Sequence, residues 1–522
     1  MSTEAAPRRS GLVAAFATVS GLTMVSRVLG FIRDILIARY LGAGDMADAY
    51  VIAFRLPNLF RRWFAEGAFN AAFVPLFSRT LEEQGRDEAR LFAGRTLTLL
   101  GFSLLVLTIA AEIFMVPLMA AFAPGFNDTP DKVALVVQYG RIMFPYLTFM
   151  ALMALYGGVL NAFHKFAAAA FAPVMLNVVL IIALVAVVPM ASDTGEVLSW
   201  GIAIAGVVQW LVVFAALERE RFGLRPAWPR LTPRIKKLLV LMVPGILAGG
   251  VTQINIVVGS IIASAQDGAV TYLYFADRIY QLPLGVIGAA IGVVLLPELA
   301  RRLSAKDEGG ARHSFNRAAE LSMALTLPAT VALMVIPTAL IAGLFEGGRF
   351  TSEATAATAA ALMAFSAGLP AYVLQRVLQP GYFAREDTVT PLLFAAVNVA
   401  LNIALSLYLF PRIGHVGLAI ATAIAAWVNI VLLIWGLRRF PAFRPDRRLV
   451  SRLARLVLAS ALMGGVLAAL DWRFGTLSGG DQIERLGLLI GLVGAGLATF
   501  GIAALATRAL TRDDLRAFVR RS

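Results

Sequence analysis

Of the nine arginines in the first eighty residues, seven lie in or at the ends of stretches that otherwise read as membrane-spanning: Arg27, Arg33, Arg39, Arg55, Arg61, Arg62 and Arg79. A charge at the centre of a spanning helix costs about 2.5–3.5 kcal/mol on insertion scales. Such residues do not face lipid, so they are expected to line a wet cavity, and a cationic cavity inside a bilayer suits an anion. Guanidinium is planar, stays charged when buried and holds phosphate oxygens through two parallel hydrogen bonds. The chemistry therefore points to a phosphate or diphosphate ligand.

Spacing sorts these charges. Arg27 and Asp34 are seven residues apart and share a helical face, with Arg33 beside Asp34. Asp48, Arg55 and Arg62 repeat the seven-residue step, Glu66 lies one turn beyond Arg62, and Arg61 sits next to that stripe. Embedded acids lower the desolvation cost by pairing, but the arginines outnumber them and leave a positive surplus. Arg27, Arg33 and Arg61 are expected to form the clamp. Arg55 and Arg62 are expected to support it with Asp48 and Glu66. Arg39, Arg79 and Arg141 lie near span ends, where interhelical ion pairs or snorkelling explain them better. Arg278, beside Asp277 in Tyr-Phe-Ala-Asp-Arg-Ile-Tyr-Gln-Leu-Pro, is expected to close the cavity from the other half of the chain.

The elements that carry these residues follow from composition. The chain has 522 residues, 59% of them hydrophobic and only 15% charged, with a mean hydropathy of +0.78. Soluble domains carry roughly 25% charged residues, so this is an all-α polytopic membrane protein. The net charge of +14 sits in short blocks between apolar runs. That is the positive-inside pattern, and it excludes nucleic acid as the partner. The absence of cysteine removes disulfides and thiolate metal sites. The first apolar run is long and holds its own arginines, so it reads as an uncleaved span.

Apolar runs of about twenty residues give roughly fourteen spans, near 11–40, 46–77, 91–121, 134–160, 166–188, 197–217, 235–263, 272–300, 318–342, 355–380, 388–410, 415–437, 449–470 and 486–507. With the N-terminus inside, and with Arg95, Lys236, Lys237, Arg452 and Arg455 at inner span ends counted with the loops they adjoin, inward loops and tails hold 32 of the 46 Lys and Arg. Outward loops hold five, Lys132 among them, and the nine inside spans are all Arg. Both termini are therefore expected in the cytoplasm. The longest inward loops follow spans six and twelve. They suggest an N-lobe (1–217), a cytoplasmic linker (218–234), a C-lobe (235–437) and a final pair of helices with a tail (438–522). Tyr50, Pro75 and Arg79 recur at an offset of 222 as Tyr272, Pro297 and Arg301, a faint echo that favours parallel six-helix repeats around a central cationic cavity.

Enzymatic chemistry finds little support. No Gly-Lys dipeptide occurs, hence no phosphate-binding P-loop and no ATPase. His164, His313 and His415 are far apart at span ends or loops, and no His-Glu-x-x-His occurs. No metal and no cofactor are expected.

The stretch Ser-Arg27-Val-Leu-Gly-Phe-Ile-Arg33-Asp34, and the run from Asp48 through Phe-Arg55-Leu-Pro-Asn-Leu-Phe-Arg61-Arg62-Trp-Phe-Ala-Glu66-Gly-Ala-Phe, resemble the N-terminal signature of the MurJ (MviN) family. That family belongs to the multidrug/oligosaccharidyl-lipid/polysaccharide exporter superfamily. The segment around Asp277-Arg278 and the Gly-Tyr-Phe-Ala-Arg385-Glu-Asp-Thr-Val-Thr-Pro turn extend the resemblance over essentially the whole chain. It implies a flippase that carries lipid II, an undecaprenyl-diphosphate-linked peptidoglycan precursor, across the inner membrane by alternating access. It places the cavity residues on Arg27, Arg33, Asp34, Arg61, Glu66 and Arg278, adds Asp48 as a functional acid, and makes spans thirteen and fourteen a groove for the polyprenyl tail. Membrane potential is the expected drive. The partners implied are lipid II, the bilayer and cell-wall synthesis machinery. An exporter of another polyprenyl-diphosphate-linked oligosaccharide shares the same charge logic. Some relatives hold sodium with acidic ligands in the second lobe; the corresponding helices here offer Gln253, Asn255, Gln375, Gln379 and Thr390 instead.

Overall fold

The computed structural model describes residues 9–61, 68–474 and 480–510, so Arg62 and Glu66 lie outside the described residues. Among the described residues the chain is helical, with one isolated extended bridge between Gly347 and Phe350. Apolar solvent dictates this, because a helix satisfies its own backbone N–H and C=O groups. Contacts divide the chain into two compact units, Met1–Asp267 and Gly268–Ser522.

The first unit contains α1 (Arg9–Leu41), α2 (Asp45–Arg61), α3 (Ala68–Ile113), α4 (Met115–Phe122), α5 (Pro130–Met143), α6 (Tyr146–Ala162), α7 (Ala167–Ile182), α8 (Thr194–Arg219) and α9 (Pro233–Ala263). Here α1 packs on α7, α7 on α8, α6 on α3 and α8, and α2 on α5. Loop lengths put the stretch 235–263 at the start of the second lobe; in the structure α9 packs against α3. The stretch expected to be the inward loop 78–90 is instead helical. α3 runs through it with a single break at Gly85 (φ 83°, ψ −178°), a conformation that only glycine adopts without strain. Stacked Phe69, Phe73 and Phe77 on α3, with centroids 5.2 and 5.6 Å apart, fix this helix. Each such aromatic pair contributes about 0.5–1.5 kcal/mol beyond its burial. Arg86 and Arg90 then lie over Phe222, 5.4 and 5.0 Å from its centroid.

The second unit contains α10 (Ala269–Ser304), α11 (Glu308–Val335), α12 (Pro337–Phe345), α13 (Ser352–Ser366), α14 (Leu369–Phe383), α15 (Val389–Ile413), α16 (His415–Leu437), α17 (Arg447–Phe474) and α18 (Gln482–Ala506). α10 packs on α11, α13 and α14, α15 on α16, and α17 on α11 and α18. Glu320 of α11 is buried and ion-paired with Arg317 of its own helix and Arg452 of α17. His415, expected as a loop histidine, is buried at the start of α16, where its Nε2 lies 2.9 Å from the Ala357 carbonyl.

Ten described helical segments are long and apolar enough to cross a membrane by length and composition. The expected spans at 11–40, 46–77, 235–263 and 272–300 are helical over their described residues but are not among these ten. Helices α1 and α2 carry the embedded charges and most of the candidate site.

Candidate functional site

On α1, Arg27 lines a cavity of about 350 Å³ shared with Thr23, Ser26, Asn161 and Pro173. Almost two turns further on, Arg33 is held from two sides. Its Nη2 and Nε donate to Asp34 Oδ1 at 2.7 and 3.1 Å, and its Nη1 donates to Asn177 Oδ1 at 2.9 Å. Asn177, on α7, also donates through Nδ2 to the Ser26 carbonyl at 2.9 Å. One buried amide thus orients Arg33 and pins the α1 turn that carries Arg27. Asp34 is 4% exposed, so this ion pair is shielded from water.

Arg61 ends the described part of α2. Its Nε donates to Asn58 Oδ1 at 2.9 Å, while Asn58 Nδ2 donates to the Phe54 carbonyl at 3.1 Å. Tyr146, at the start of α6, is buried, and its ring centroid lies 6.3 Å from that of Phe54. Arg55 donates to the Ser260 hydroxyl on α9. Arg79 pairs with Glu83, one turn further along α3, at 2.7 Å on an exposed surface.

Asp48 gains a partner from outside its own stripe. Lys132 on α5 reaches Asp48 Oδ2 at 3.1 Å, Asp45 Oδ1 at 2.9 Å and Asp267 Oδ1 at 3.0 Å, with its ammonium 4.4 Å from the Phe126 ring centroid. Lys132 is 1% exposed and Asp48 0%. The outward-loop lysine of the sequence is thus a buried hub. Gly125 makes it possible: a Cβ there would meet the Ser264 and Ala265 backbone at 2.4 Å, and its N–H donates to Ser264 Oγ at 3.0 Å.

In the second unit, Arg278 Nη2 donates to the Tyr274 hydroxyl at 3.1 Å and its guanidinium lies 4.7 Å over that ring. Asp277 accepts from Gln281. Among the described residues, no group of three or more His, Asp or Glu is arranged to hold a metal.

A family model described as lipid II flippase MurJ matches residues 37–482. A probable lipid II flippase MurJ from Rhizobium meliloti (strain 1021) is 45% identical over 518 residues, covering 98% of this chain and 96% of the relative. The chain belongs to the MurJ family. A second MurJ relative, from Burkholderia cenocepacia, is 35% identical over 462 residues, covering 87% of this chain and 89% of its own. A solved MurJ structure in an inward closed conformation matches with a TM-score of 0.79 at 26% identity, covering 94% of this chain and 98% of that one. An inward-facing multidrug transporter of the MATE family shares the fold alone, with a TM-score of 0.66 at 15% identity over 82% of this chain and 98% of its own. MurJ membership makes this a multi-pass membrane protein of a transporter family, not of a hydrolase or ATPase family.

Within the MurJ signature, Asn177 is the residue that sequence reasoning missed. Its signal was a lone amide in an otherwise apolar run. An Asn177→Ala variant removes a hydrogen bond to a charged partner, an interaction of about 1.5–3 kcal/mol. Substrate transport is expected to fall about tenfold or more while membrane insertion is unchanged. Vesicle transport at the wild-type rate would show that Arg33 needs no orienting amide.

Proposed function

We propose that this chain moves lipid II from the cytoplasmic to the periplasmic leaflet, with the diphosphate held by Arg27, Arg33 and Arg61. The observation that carries this reading is that Arg33 and Arg61, on neighbouring helices of the sequence, are each held in a fixed orientation by an amide or carboxylate oxygen. Pre-oriented guanidiniums bind a diphosphate without first losing rotamer freedom. Arg27, lining its cavity one α1 segment away, adds a further charge. The excess of Lys and Arg in the inward loops supports cytoplasmic termini. The deciding experiment is depletion in a native host: lipid II should accumulate on the cytoplasmic leaflet. Accumulation of a different polyprenyl-diphosphate glycolipid would assign the chain to that cargo.

No coupling ion is needed for the drive. Outward movement of anionic charge is favoured by an inside-negative potential at about 2.3 kcal/mol per charge per 100 mV. Two uncompensated diphosphate charges gain about 4–5 kcal/mol per 100 mV. Collapsing the potential with an ionophore, with ion gradients otherwise held, is expected to stop export in vesicles. Unaltered export under those conditions would assign the drive to something else.

A further inference from the structure

The connection from α16 to α17 builds another basic site in the second unit, remote in sequence from Arg278. A short turn at Pro441–Phe443 follows α16, and Ala442 and Phe443 are buried beneath it. Arg312 Nε and Nη2 donate to the Arg444 and Pro445 carbonyls, both at 3.0 Å. Asn316 brackets the same backbone, donating to the Arg444 carbonyl at 3.2 Å and accepting from the Asp446 N–H at 3.1 Å. The backbone is therefore set before any ligand arrives.

On this frame stands a cavity of about 510 Å³. Arg438, Arg439 and Arg444 line its mouth, and Leu378, Leu437 and Phe443 line its floor. No acidic residue lines it. The nearby carboxylates are already engaged. Asp446 accepts from Arg317 and from the Leu449 N–H, and Asp387 accepts from the Thr390 N–H. Arg385 lies 3.8 Å over Phe440 and 5.5 Å from the Phe443 centroid, and its buried Nε has no hydrogen-bond partner among the described residues. Burial lowers the Arg385 pKa, Glu308 raises it, and the like charge of Arg439 lowers it again. The site thus accumulates positive charge that its own acids do not offset.

The apolar approach identifies the ligand class. Val431, Ile434 and Trp435 are exposed on α16 and lead up to the mouth, where Arg438 lies 5.3 Å over the Trp435 ring. An inorganic anion would fill the mouth and leave this strip and the floor uncovered. A lipid with a charged head covers both, and basic pockets at the cytoplasmic ends of spanning helices suit anionic headgroups. We propose that this pocket binds an anionic phospholipid of the cytoplasmic leaflet, with its phosphate among Arg438, Arg439 and Arg444 and an acyl chain along Val431, Ile434 and Trp435. The choice of leaflet rests on the charge-derived orientation above; the choice of cargo does not enter.

The test uses the full chain in nanodiscs of phosphatidylcholine containing equal phosphatidylglycerol and phosphatidylethanolamine, with retained lipids counted by native mass spectrometry after transfer to detergent. Wild type is expected to retain phosphatidylglycerol preferentially, and the Arg438→Gln/Arg439→Gln/Arg444→Gln variant to lose that preference by more than about tenfold. Elution volume and helical circular dichroism check that the variant folds. If it does not, Arg439→Gln alone is expected to lower the preference about fivefold. Equal retention of the two lipids by wild type, an unchanged preference in a folded variant, or displacement of the lipid by millimolar inorganic phosphate would each overturn the proposal. Lipid retention is read without transport, so a failure here and a failure of the lipid II assignment are distinguishable.

Discussion

Arg61→Ala and Arg33→Ala variants are expected to reach the membrane and fold, yet to lose transport. Both guanidiniums are oriented by neutral amides, Asn58 for Arg61 and Asn177 for Arg33. Loss of Arg33 releases Asp34, which is 4% exposed, so some instability accompanies the second variant. A charge-assisted hydrogen bond is worth about 1.5–3 kcal/mol, and a bidentate arginine makes two, so a fall of about a hundredfold or more in lipid II transport is expected for each. Lysine at either position keeps the charge but loses the planar fork, and should restore only part of the rate. Vesicles with either alanine variant flipping lipid II at the wild-type rate would sink the clamp.

The second large effect concerns stability. A Lys132→Met variant leaves Asp48 ionised, fully buried and without its ammonium. Removing one partner of a buried pair costs about 3–5 kcal/mol, because the other charge stays desolvated. Asp45 and Asp267 are partnered by the same ammonium, but their side chains are 57% and 89% exposed, so water takes over for them. The Asp48→Asn/Lys132→Met double variant should therefore recover most of the loss in a thermal unfolding measurement in detergent. Equal instability of the single and double variants would mean that Lys132 acts through something other than Asp48.

These expectations show where the sequence was legible. An arginine in an apolar run is visible in one dimension, because its cost does not depend on where the chain goes next. Arg27, Arg33, Arg61 and Arg278 could be named on that ground, as could the helical class. Their partners could not. Asn177 lies 144 residues from Arg33, and Lys132 lies 84 residues from Asp48; neither pairing has a local pattern. Lys132 even looked like an ordinary loop charge, because hydropathy reports the average of a segment and not the burial of one ammonium. Glu320 was obscured in the same way, by arginines on α17 that only packing brings to it. Segment lengths failed for a different reason. Helical propensity carried α3 through a polar stretch that charge alone marked as a loop, and the glycine that breaks it looks like any other in sequence.

That break has a mechanical side. A flexible loop between two spans absorbs displacement as slack, so either end can move without moving the other. α3 instead resembles a cranked shaft: two stiff arms meeting at one residue, Gly85, with Arg86 and Arg90 clamped to the Glu220 and Arg221 carbonyls just beyond it. Tilt in one arm is passed to the other as rotation about a fixed pivot. The register of the two arms is thereby held at the pivot.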